Sequence, residues 1–229
     1  MAELSCIGKI HTDFPQKFGI PRQSGLIAEL KGTVVFEPEY RNPDMLRGLE
    51  GFSHIWLIWS FSKSIRAGWS PTVRPPRLGG NQRMGVFATR SPFRPNPIGL
   101  SSVMLDRVEL HTEQGPMLHV SGVDLMDGTP IFDIKPYVPY ADSHPEATGG
   151  FAALVKERLL TVECPPCYLV KVPEQSRKAL LAVLAHDPRP AYQADPERVY
   201  GMEFAGVNVR FRVQGDVLTV CDVEKLKPC

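Results

Sequence analysis

The sequence predicts a mainly β protein, with a small N-terminal β-barrel domain followed by a small α+β C-terminal domain. Three observations carry this. Short apolar or alternating runs recur through the first two thirds of the chain, separated by turns rich in proline and glycine. Only Pro43–Gly48 has helical character there. Beyond the polar, turn-rich stretch Pro139–Gly150 the pattern changes to a helical run and a hairpin.

Taken in order, strands are expected at Leu4–Ile10, Thr33–Phe36, Ile55–Phe61, Met84–Ala88, Ser102–Leu110, Met117–Val123 and Ile131–Lys135. Ile55–Phe61 is almost continuously apolar, which suits a strand covered on both faces. Asn42 or Asp44 can cap the short helical turn that Gly48 ends. Many short strands with few helices suit a closed barrel. After the stretch at Pro139–Gly150, a strand is expected at Arg158–Glu163 and a helix at Pro173–His186, with Leu180, Leu181 and Leu184 on its apolar stripe. Val207–Val213 and Val217–Val223 flank Gln214-Gly215-Asp216 and read as a hairpin. The expected organisation is a barrel over residues 1–140, a linker over 141–150 and a second domain over 151–229.

Composition narrows the class. With 43% hydrophobic and 22% charged residues, the chain can bury a sizeable core. The formal net charge of +1 hides an uneven distribution: Lys63, Arg66, Arg74, Arg77, Arg83, Arg90 and Arg94 follow one another with no acidic residue before Asp106. Five scattered cysteines do not make a disulfide framework and fit a reducing compartment. The longest apolar stretch is too short to span a bilayer, and the start has no signal-peptide pattern, so a cytoplasmic protein without membrane contact is expected.

Several chemistries lack their motifs. There is no glycine-rich dinucleotide fingerprint, no phosphate loop and no nucleophile elbow. The pair Cys164 and Cys167 is half a zinc site without its other half, and the histidines form no ligand cluster, so no metal is expected. The informative region is Gly68–Ser102. Prolines there stiffen loops that carry Arg74, Arg77, Arg83, Arg90 and Arg94, while Trp69 and Phe93 offer rings. Such loops suit phosphate and base contacts; the same arginines also suit a solvated barrel face. Asp124-Leu125-Met126-Asp127-Gly128 is a turn with two carboxylates, which can hold polar groups of a ligand or simply shape the turn.

These strings, in this order, resemble the TsaA/TrmO-like family of S-adenosylmethionine-dependent tRNA methyltransferases, in its two-domain bacterial form. The matching pieces are PRQSG at Pro21–Gly25, RGLEGFSHIWLI at Arg47–Ile58, RPPRLGGNQRMGVFATRSPFRPNPIGLS at Arg74–Ser101, DLMDGTPIFDIKPY at Asp124–Tyr137 and HDPRPAY at His186–Tyr192. The resemblance implies a barrel catalytic domain that binds S-adenosylmethionine, a homodimer, and a C-terminal domain that helps bind tRNA. It implies methylation of N6 of N6-threonylcarbamoyladenosine at position 37 of tRNA. It places the cofactor against Pro21, Arg22, Gln23, Arg90, Leu100 and the turn Asp124, Leu125, Met126, Asp127, Gly128. Ser62 and Lys63 stand where relatives often carry a His-Gln pair, so backbone contacts are expected there. Asp124 or Asp127 is the candidate proton acceptor. Arg74, Arg77 and Arg94 are expected on the tRNA surface, joined by Arg189, Tyr192, Asn208 and Arg210 of the second domain. A non-catalytic RNA-binding or regulatory module would use the same basic surface; binding of S-adenosylmethionine separates the two.

Overall fold

The computed structural model describes residues 4–65, 68–75, 82–154, 159–190 and 195–226. Its first part is a closed barrel. The strands are β1 (Gly8–Thr12), β2 (Lys31–Phe36), β3 (His54–Ser60), a short pair β4 (Thr72–Val73) and β5 (Met84–Gly85), β6 (Ile98–Glu109), β7 (Met117–Ser121) and β8 (Thr129–Pro136). Around the barrel the order is β1-β2-β7-β6-β3-β8, all neighbours antiparallel, and β1 pairs with β8 to close the ring. Closure leaves no open sheet edge. The interior is filled by alternate residues of each strand, among them Ile10, Val34, Ile55, Leu57, Val103, Leu118, Val120 and Ile131.

Two expectations change here. β3 is not covered on both faces: Ile55, Leu57 and Trp59 point into the core, whereas Trp56 and Ile58 are only half-buried on the outside. In an antiparallel barrel the outer face meets only what the loops bring over it. The strand expected at Met84–Ala88 stops at Gly85 and tightens into a 3-10 turn, Val86–Ala88. The start of the turn-rich stretch is also ordered. A one-turn helix α1 (Pro139–Asp142) sits over β3, where the indole of Trp56 donates to Asp142 across 3.1 Å.

The second part is a four-stranded sheet, ordered β10-β11-β12-β9, built from β9 (Thr161–Glu163), β10 (Tyr200–Phe204), β11 (Val207–Gln214) and β12 (Val217–Lys225). A short helix α2 (Pro166–Leu169) contains Cys167, and α3 (Arg177–Ala185) follows a 3-10 turn at Glu174–Ser176. α3 buries Ala179, Leu180, Val183 and Leu184. Leu180 and Leu184 are a turn apart, the spacing that makes such a stripe. The β11–β12 hairpin turns through Gly215-Asp216, with Gly215 at φ +60°. β10, not foreseen, has the alternation Tyr200, Met202, Phe204 on its buried side. The two parts share one continuous apolar core. Phe14 of the loop after β1 meets Phe204 edge-on, with ring centroids 5.1 Å apart.

Candidate active site

A cavity of about 630 Å³ opens at one end of the barrel, within the size range of small-molecule sites. Its walls come from five stretches distant in sequence: the loop after β1, the end of β3 with the 3-10 turn Ser62–Ser64, the loop before β6, the first residues of β6, and the turn before β8.

The floor depends on a glycine. Trp59 lies across Gly99, the residue it pairs with on β6, and a Cβ at position 99 would come within 2.3 Å of the indole ring, too close to fit. So seated, the indole N–H donates to the Ser101 hydroxyl at 3.0 Å, and that hydroxyl donates to Asp124 Oδ1 at 2.6 Å. Because the Trp59 donor occupies the serine oxygen's acceptor side, the serine proton is committed to the carboxylate. Burial pushes the Asp124 carboxyl up to about 6; the Ser101 bond, the nearby Arg90 charge and a backbone bond from Ser24 oppose the rise.

The loop before β6 is held by its own hydroxyls. Thr89 donates to the Val86 carbonyl at 2.9 Å and accepts from the Ser91 N–H, while Ser91 accepts from the Phe93 N–H at 3.2 Å. Such turns let serine and threonine replace secondary structure. Arg90 reaches the Gln23 side-chain carbonyl from this loop, joining two walls. Arg94 donates to the Thr89 carbonyl at 3.1 Å and lies 5.9 Å from the Phe87 ring centre. On the opposite rim Lys17 donates to the Lys63 carbonyl and, at 2.8 Å, to Ser64. The lining thus carries five cationic side chains, Lys17, Arg22, Lys63, Arg90 and Arg94, against one acidic residue, Asp124.

Of the expected cofactor residues, the cavity brings together Pro21, Arg22, Gln23, Ser62, Lys63, Arg90, Leu100, Asp124 and Met126. Leu125, Asp127 and Gly128 are not on its wall. Leu125 is core. Asp127 instead accepts from the Thr12 N–H and contacts His11, both at 3.1 Å, tying the turn to β1. Gly128 donates its N–H to the Ile10 carbonyl from a left-handed conformation. The alternation along the turn sends 124 and 126 one way and 125 and 127 the other, so Asp127 is out of place as a proton acceptor in the cavity. Trp59, Gly99, Ser101 and Lys17 were not foreseen. The Gly99 that interrupts the apolar start of β6 was the available signal, since a glycine inside a strand marks a close approach.

The expected tRNA residues scatter. Arg94 belongs to the cavity wall. Arg74 is exposed, beyond β4. Arg189 is mostly buried, with 13% of its side chain exposed, and is clamped by both oxygens of Asp187 at 2.8 Å. Asn208 and Arg210 share the outer face of β11 with Arg212, and Arg210 lies 3.7 Å from Glu224. Arg77 and Tyr192 fall outside the described residues. Among the described residues no group of three or more potential ligands could hold a metal, and no helix is long and apolar enough to cross a membrane.

A closed barrel whose end cavity sets one half-buried carboxylate among cations suits a small charged ligand. The comparisons make it a methyltransferase. Residues 9–143 match the model of the tRNA-methyltransferase O N-terminal domain, and residues 160–226 match the TrmO C-terminal domain. The chain is 44% identical over 222 residues to a tRNA (adenine(37)-N6)-methyltransferase of Escherichia coli (strain K12), covering 90% of this chain and 91% of the relative. It is 50% identical over 163 residues to one of the same description from Eikenella corrodens, covering 71% and 92%. A crystal structure of TrmO from Pseudomonas aeruginosa superposes with a TM-score of 0.79 at 34% identity, covering 98% of both chains. The chain belongs to the TrmO family.

Proposed function

We propose that the protein methylates N6 of the adenine at position 37 of tRNA with S-adenosylmethionine as donor, and that the adenine carries the N6-threonylcarbamoyl group. The observation that carries the reading is the Trp59–Ser101–Asp124 chain beside a cationic cavity wall. The relatives' names supply the reaction.

The residues present fit the donor. Trp59, Phe61, Ile98 and Leu100 give apolar surface for a purine, Arg90 a planar cation for a ring or carboxylate, and Asp124 a negative charge for hydroxyls or a sulfonium. S-adenosylmethionine supplies an activated methyl group when bound. The chain's own task is then alignment and proton removal. Asp124 accepts the proton that N6 loses, at a carboxylate oxygen, and its raised affinity for protons suits that role. The excess of cations over acids in the lining favours two carboxylates, one on the donor and one on the threonyl group. Incubation with labelled S-adenosylmethionine and tRNA with or without the threonylcarbamoyl group tests this: label is expected only in the modified tRNA. No label in either, with no cofactor binding by calorimetry, leaves a non-catalytic RNA-binding module.

The acting form is proposed to be a homodimer. On the outer face of β6, Ile98, Leu100 and Met104 are 38%, 53% and 41% exposed, an apolar stripe that runs directly from the cavity wall. A second copy covers such a stripe by two-fold pairing. Light scattering is expected to show a dimer, and Met104→Lys to weaken it. Free thiols at Cys6, Cys164, Cys167 and Cys221 suit the cytoplasm.

A further inference from the structure

The loop between β1 and β2 makes contacts on both sides. Towards the barrel, Lys17, Ile20, Pro21 and Gln23 line the cavity. Towards the C-terminal sheet, Phe14 is fully buried against Phe204. Phe18 stacks against the Tyr200–Phe211 pair, at 6.5 Å from each ring, the two being 5.6 Å apart. The Asp13 carbonyl accepts from the Ala205 N–H at 2.8 Å. Gly19, at φ +93°, presses so closely on Met202 that a Cβ there would overlap its sulfur. Phe14 and Phe18 are absent from the cavity lining, so their rings serve the sheet.

An irregular loop has no ladder of its own to hold it, and its position is set by what its side chains bury. Here the ring contacts of Phe14 and Phe18 are made with the C-terminal sheet, the barrel adds backbone bonds at Phe14 from Asp127 and to Thr12, and the next residues form the wall of the cavity. Lys17 then laces this loop to the Ser62–Ser64 turn on the other rim.

We infer that Met202, Tyr200, Phe204 and Phe211 of the C-terminal sheet are positioning residues for the cavity: by clamping Phe14, Phe18 and Gly19 they hold the Ile20–Gln23 wall in its binding geometry. This assigns the C-terminal domain a part in cofactor affinity separate from any contact with RNA. It rests on the proposal that the cavity binds S-adenosylmethionine.

The test uses the full chain and two readouts. Hydrogen exchange of residues 16–24 reports the clamp without any ligand. Calorimetry with S-adenosylmethionine reports the pocket. Phe18→Ala and Met202→Ala are expected to speed exchange in the loop, leave β3 and β6 protected, and weaken cofactor binding by roughly tenfold, the size of effect found along coupled contact networks. Phe18→Leu, which keeps an apolar anchor and a stable fold, is expected to recover most of both. Wild-type exchange in the loop of Phe18→Ala or Met202→Ala overturns the clamp. Faster exchange with unchanged cofactor affinity overturns its role in binding. Wild-type protein that binds no S-adenosylmethionine removes the cofactor reading instead, and the exchange data then decide the clamp alone.

Discussion

Arg90 and Arg94 of the cavity differ from Arg189 and Arg210 of the C-terminal domain in what neutralises them. Arg90 and Arg94 hydrogen-bond neutral acceptors, the Gln23 side chain and the Thr89 carbonyl, and neither makes a salt bridge among the described residues. Arg189 is locked in a two-pronged pair with Asp187, and Arg210 lies beside Glu224. A guanidinium held by neutral groups keeps its charge for an incoming anion; one held by a carboxylate has largely used it. Sequence spacing cannot tell the two apart, because both sit in proline-stiffened or alternating segments. The cavity is therefore the place where an anionic ligand gains most, and Arg189 contributes more to the fold.

The strongest way to break this comparison is at the cavity's one acid. Asp124→Asn is expected to lower methyl transfer about a hundredfold or more, as for loss of a positioned proton acceptor. Wild-type activity should rise with pH through about 6 and the variant should lose that limb. Stability should move the other way. Asp124 holds its proton more tightly when folded than its ordinary value of 3.8, so its contribution is fully present below about 4 and is lost as pH rises through about 6. Above that, the buried charge costs at most about 3 kcal/mol, so Asp124→Asn should melt higher than wild type at pH 8 and alike at pH 4. Thermal melts at both values decide it.

Next in size, Arg90→Ala should weaken S-adenosylmethionine binding by roughly 10- to 100-fold, the value of a charge-assisted hydrogen bond, with a much smaller change for tRNA. Unchanged cofactor binding would move Arg90 to the RNA surface and erase the contrast. Arg189→Ala, in the other region, should cost about 1–3 kcal/mol of stability, because Asp187 loses its partner, while tRNA affinity in a filter-binding assay stays at the wild-type value. A clear loss of tRNA affinity would return Arg189 to the RNA contacts first expected for it. The smallest effect belongs to Arg210→Ala: the exposed pair with Glu224 is worth under about 1 kcal/mol, and a lost phosphate contact would reduce the salt slope by about one unit. Arg74→Ala, on the barrel side, is expected to show the same slope change without any stability effect.

Much of the architecture was legible in the residues. The six barrel strands fell within a few positions of where alternation and turns put them, whereas the strand expected at Met84–Ala88 lies outside the barrel and becomes a 3-10 turn after two residues. In the C-terminal domain, Val207–Val213 and Val217–Val223 met around Gly215 as expected. β10 was missed because Gly201 and Glu203 break its apolar run, although Tyr200, Met202 and Phe204 keep the period of two. At the site, the strings around Pro21, Arg90 and Asp124 pointed to residues that do meet. The contact between Trp59 and Ser101 has no signal in the neighbours of either residue.

By itself the sequence determined what local physics reads: the period of two along each strand, the turns that proline and glycine impose, and a run of cations without acids from Lys63 to Arg94. Those properties depend on neighbours in the chain, so one chain suffices to see them. Only the tertiary structure decided which charges stay available and which carboxylate is drawn away from water. Asp124 and Asp127 are three residues apart in one turn, yet one is desolvated beside Ser101 and the other is spent on Thr12 and His11. The difference comes from strands far away in sequence, β6 for the first and β1 for the second, and burial and partner choice are properties of that packing rather than of the turn.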